Sequence, residues 1–104
     1  MDGWVRVCAR SELLPGEWRV AYDGDTAIAV FNIDGALHAI EDVCTHDGGE
    51  LAGGPVEGFE VECLRHGARF DVRTGAALSA PAYTPTVVFP VKLEDEAVWT
   101  RDDR

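Results

Sequence analysis

Turn-forming residues break this chain every eight to twelve residues, and no stretch longer than about ten residues carries a helical apolar period. What lies between the breaks is short and β-rich. Trp4 to Cys8 reads as a first strand, and Ser11-Glu-Leu-Leu-Pro15-Gly16 as a capped turn opening on Ser11 and closed by proline and glycine. Glu17 to Tyr22 and Thr26 to Asn32 are strands about the turn Asp23-Gly24-Asp25, and Asp34-Gly35 is a two-residue hairpin signal leading into Ala36 to Glu41. Phe59 to Glu62 alternates apolar and acidic residues, and Thr86 to Glu94 with Ala97 to Arg101 forms a last hairpin around Asp95-Glu96. The expected fold is all-β: a small antiparallel sandwich or barrel. At 104 residues it is one domain, spanning 1–104.

Nineteen acids against nine bases give a net charge of -10. Phosphate binding needs a basic face, so no nucleic-acid partner is expected, and no polybasic membrane anchor either. No apolar run is long enough to span a bilayer, and the first ten residues, MDGWVRVCAR, do not read as a signal peptide. A cytoplasmic location is expected, where the three cysteines serve as thiols or metal ligands rather than disulfides.

Between Val43 and Pro85 the strand pattern loosens. Six of the eleven glycines fall from Gly48 to Gly67, the density of loops whose backbone approaches something closely. Two clusters stand there: Cys44-Thr45-His46-Asp47-Gly48 and Cys63-Leu64-Arg65-His66-Gly67. The pattern is C-x-H, sixteen residues, then C-x-x-H. Thiolate and imidazole suit soft and borderline metals, and a Cys2His2 set can hold zinc. Zinc fingers, however, pair cysteine with cysteine and histidine with histidine, whereas each cluster here pairs one of each.

That mixed pairing resembles the Rieske iron–sulfur family, and the resemblance covers the whole chain. It implies a Rieske-type antiparallel β-sandwich or barrel with a loop-rich cluster-binding subdomain at about 43–82. It further implies one [2Fe–2S] cluster per chain, with Cys44 and Cys63 on one iron and His46 and His66 on the other. Gly48, Gly67, Ala68 and Pro81 are expected around the cluster. Ala80-Pro81-Ala82 stands where the family's proline-containing covering loop belongs, and Phe70 to Gly75 resembles the strand and turn after the second ligand loop.

Departures from the subfamily patterns narrow the reading. The disulfide of respiratory Rieske proteins is excluded, because Gly49 and Arg65 stand where its cysteines would be. Ala68 and Phe70 replace the serine and tyrosine whose hydroxyls donate to cluster sulfurs in those proteins, which implies a low potential. Oxygenase catalytic subunits usually carry tryptophan after the second His-Gly and need a further domain for mononuclear iron. The resemblance therefore implies a low-potential Rieske ferredoxin, an electron carrier rather than an enzyme. Its implied partners are a flavin-containing reductase and a terminal aromatic-ring-hydroxylating oxygenase, met by a monomer in transient complexes. The alternatives are a small subunit of assimilatory nitrite reductase and a structural zinc or redox-sensing module.

The charge of -10 suits docking on a basic patch, with Arg65, Arg69 and Arg73 making the face near the second loop mixed. His38 is expected to be a half-exposed surface residue, Cys8 a small core or edge residue, and Trp4, Trp18 and Trp99 core. The acidic tips are expected to be solvated faces.

Overall fold

The computed structural model describes residues 3–45, 48–65 and 67–104. Among these residues ten strands form three antiparallel sheets, with one short 3-10 turn, Arg10–Glu12. The first sheet has the order β1 (Val5–Ala9), β10 (Ala97–Thr100), β9 (Val91–Glu94). The second is β2 (Trp18–Asp23), β3 (Thr26–Ile33), β4 (Ala36–Glu41), β8 (Val88–Phe89). The third is β5 (Val56–Glu57), β6 (Glu60–Glu62), β7 (Arg69–Asp71).

β3 organises the core. Successive side chains of a strand point to opposite faces, and β3 is buried on both. Ile28 and Val30 join Cys8, Leu13, Ala39, Phe89 and Val98 in one apolar cluster. Ala29, Phe31 and Ile33 join a second, with Ile40, Leu51, Val61, Phe70 and Val72, and this one also contains Cys44 and Cys63. Asn32 interrupts the apolar run but is satisfied: its Nδ2 donates to the Leu13 carbonyl at 2.9 Å, and its Oδ1 accepts the Gly35 N–H at 2.8 Å.

The hairpin turns follow the sequence signals. Asp34 (φ 53°) with Gly35 (φ 93°), and Asp95 (φ 54°) with Glu96 (φ 58°), are both left-handed pairs, as tight two-residue β-hairpin turns require. Three expectations are corrected. Thr86 to Glu94 is not one strand: Pro90 has no N–H to continue a ladder, and the chain passes there from β8, paired with β4, to β9, paired with β10. Ser11 is not the cap of its turn, since the Glu12 Oε1 takes the Ala9 N–H at 2.8 Å. The tryptophans are not core. Trp18 is 41% exposed, and half-buried Trp4 lies under the Lys92 ammonium, 4.4 Å from the ring centre. His38 is half-exposed, as expected, with its Nε2 buried and without a hydrogen-bond partner among the described residues, and its ring meets Phe59 edge-on at 5.7 Å.

Candidate metal centre

Two loops of the same construction carry the cysteines. In the first, which follows β4, the Cys44 N–H donates to the Gly49 carbonyl at 2.6 Å and the Gly48 N–H returns to the Cys44 carbonyl at 2.8 Å. In the second, which joins β6 to β7, the Cys63 N–H donates to the Ala68 carbonyl at 2.7 Å and the Gly67 N–H returns to the Cys63 carbonyl at 3.0 Å. Both glycines are left-handed, at φ 77° and 75°, so the loops turn back at the same step.

Both cysteines are thiols and 1% exposed, and they lie in one apolar cluster with Ala68 and Ala82. His46 and His66 lie outside the described residues, as does Asp47. Of the other expected site residues, Gly48 and Gly67 close the two loops, Ala68 is fully buried in the second loop, and Pro81 is half-buried next to Ala82. A third loop clamps the first two. The Thr45 hydroxyl donates to the Thr84 carbonyl at 2.6 Å, and the Arg69 N–H donates to the Ser79 hydroxyl oxygen at 3.0 Å.

The two arms also touch directly. A Cβ on Gly54 would collide with the Glu62 carbonyl, immediately before Cys63, so only glycine permits this approach. Asp42 holds the exit of the first loop: its Oδ1 accepts the N–H groups of Leu51 and Ala52, both at 2.7 Å. Neither contact is visible in the sequence pattern, because each joins segments through tertiary packing.

The arginines beside the second loop carry their own counter-ions. Arg69 lies 3.5 Å from Glu60 and 3.4 Å from Glu62, and Arg73 lies 2.9 Å from Asp71. The Arg73 guanidinium holds the Asp71 carboxyl below the usual carboxylate range. These pairs leave no basic patch at Arg69 and Arg73. Two large apolar side chains stand exposed next to the buried thiol region, beside the exposed Arg65: Leu64, adjacent to Cys63, is 68% exposed, and Tyr83, adjacent to Ala82, is 84% exposed.

The donor chemistry fits an iron–sulfur cluster. Two buried thiols on matched loops lie in one apolar cluster, with a third loop bonded alongside, and thiolate ligation shielded from water is what such clusters use. The sequence as a whole agrees: residues 3–90 match the family model of the Rieske [2Fe-2S] domain. The chain belongs to the Rieske [2Fe–2S] family. Its cofactor is accordingly one [2Fe–2S] cluster. The Rieske chain is 35% identical over 102 residues to ferredoxin CarAc of Metapseudomonas resinovorans, covering 97% of this chain and 95% of that one. It is 40% identical over 94 residues to the ferredoxin component of biphenyl 2,3-dioxygenase of Rhodococcus jostii (strain RHA1), covering 90% and 88%. Its fold matches a chain in the solved complex of reduced oxygenase and oxidized ferredoxin in carbazole 1,9a-dioxygenase, with a TM-score of 0.90, 34% identity, and 97% and 94% coverage. Among the described residues, no helix of this Rieske chain is long and apolar enough to cross a membrane.

Proposed function

We propose that this Rieske chain is the ferredoxin component of a multicomponent aromatic-ring dioxygenase system, carrying single electrons from a flavin-containing reductase to a terminal oxygenase. The observation that carries the reading is the pair of matched cysteine loops whose cysteines share one buried apolar cluster, in a chain similar along most of its length to ferredoxin components of such systems. Cys44 and Cys63 are assigned as ligands of one iron, and His46 and His66 as ligands of the other, within a cluster-binding region at about 43–82.

When bound, a [2Fe–2S] cluster supplies one-electron uptake and release, with no bond made to an organic substrate. The chain's own contribution is to hold and shield. Leu51, Phe70, Ala68 and Ala82 exclude water around the thiols, and the third loop keeps both cysteine loops in place. With four protein ligands no coordination position remains for substrate, so the chain acts as a carrier rather than an enzyme. Leu64 and Tyr83 are the apolar side chains it presents to a partner at this end, and transient electron-transfer contacts are small, below about 1,200 Å² in total.

The test is reconstituted turnover with a flavin reductase and a ring-hydroxylating oxygenase from one system. The reading expects product only when this chain is added, at a rate that rises with its concentration. Product formation equal with and without the chain, for every such pair encoded beside it, would refute the carrier role.

A further inference from the structure

Asp42 lies outside the ligand set, yet it is 5% exposed and is the one acid buried among the described residues. Acidic side chains are almost never this buried unless they are paired or hydrogen-bonded. Its Oδ1 accepts the Leu51 and Ala52 N–H groups at 2.7 Å each, and its own N–H donates to the Ala27 carbonyl at 2.9 Å. One residue thus ties the strand entering the first loop to the segment leaving it, and anchors both near β3. It precedes Cys44 by two residues, so the two Cα atoms are at most about 7 Å apart. Leu51, whose N–H it holds, packs in the same cluster as Cys44 and Cys63.

We propose that Asp42 is the positioning residue of the first cysteine loop, and that its negative charge keeps the reduction potential of the bound cluster low. The inference rests on the ligand assignment above. An added electron meets a fixed negative charge through protein interior rather than water, where the interaction is attenuated far less. The chain's surface acids act through water and are screened by salt, whereas a buried one is screened much less.

Two substitutions separate the two roles. Asp42→Asn keeps an oxygen acceptor and removes the charge; Asp42→Ala removes both. Iron and acid-labile sulfide are measured first in wild-type holoprotein. A wild type lacking them overturns the ligand reading and this inference with it. With wild type loaded, the expected results are a positive shift of the Asp42→Asn midpoint that persists at high salt, with iron release to a chelator within about twofold of wild type. Asp42→Ala should release iron several-fold faster. As a control, Glu57→Gln, at an exposed position, should move the midpoint less than Asp42→Asn does. An unshifted Asp42→Asn midpoint, an Asp42→Asn protein that loses iron as fast as Asp42→Ala, or an Asp42→Ala protein as retentive as wild type would each overturn the proposal and leave the ligand reading standing.

Discussion

Gly48 and Gly67 occupy one structural position twice. Each follows its cysteine by four residues, each is left-handed, and each returns its N–H to that cysteine's carbonyl. A Cβ at either glycine would meet nothing within 4 Å, so the need for glycine there is conformational rather than steric. Gly48→Ala and Gly67→Ala should each cost about 1–2 kcal/mol, and Asn at either position should cost less because it tolerates the left-handed region. Gly54→Ala is the contrasting case, since its Cβ would collide with the Glu62 backbone. It should cost about 1–3 kcal/mol through displacement of one cysteine arm. Denaturant melts of the five variants give the order directly.

Ala68 and Phe70 are fully buried in the cluster that holds the cysteines and bring no hydroxyl to it. The midpoint should lie near the low end of the Rieske range, about -150 mV. Ala68→Ser and Phe70→Tyr should raise it where the new hydroxyl reaches a cluster sulfur. A wild-type midpoint above about +150 mV by redox titration would contradict this account.

The strand order was largely readable from punctuation such as Asp34-Gly35 and Asp95-Glu96, because tight hairpins need left-handed residues at known places. The cysteine loops were readable from spacing. Features set by tertiary packing were not. Pro90 lies inside an apolar alternation, and only the sheet assignments show that it separates two ladders. Asp42 follows Glu41 and carries no sequence signal that sets it apart; only the N–H groups of Leu51 and Ala52 found on it do so. Trp18 reads as core by size, yet it lies against Gly53 at the surface.

His38 should make stability depend on acidity. Burial, and then the nearby Arg73 charge, push its pKa below the usual 6.5, with Asp71 opposing. As pH falls through 6.5 the unfolded chain takes up this proton before the folded protein does. Stability is therefore lost from there down to the lower folded-state value, and does not change further on His38's account below it. His38→Leu should show a smaller stability loss than wild type between pH 7 and pH 5 in parallel melts. Equal losses would remove His38 from the account.

Electron delivery to a partner should slow as salt rises from low to moderate concentration, because the net charge of -10 acts over a Debye length of about 10 Å at 0.1 M. Arg69 and Arg73 are already paired with acids, so their loss should change the salt dependence little. Leu64→Asn should lower the rate several-fold at every salt concentration, since it alters the apolar contact and leaves the net charge unchanged. Stopped-flow reduction of the partner at limiting carrier separates the two effects.

The central claim is that the matched loops at Cys44 and Cys63, with His46 and His66, hold a [2Fe–2S] cluster. Iron, acid-labile sulfide and zinc determined on the same anaerobically purified sample test it most directly. The account predicts about two irons and two sulfides per chain in wild type, lost in Cys44→Ser, His46→Ala, Cys63→Ser and His66→Ala and kept in Cys8→Ser. Stoichiometric zinc without labile sulfide, or a cluster abolished by Cys8→Ser, would contradict it.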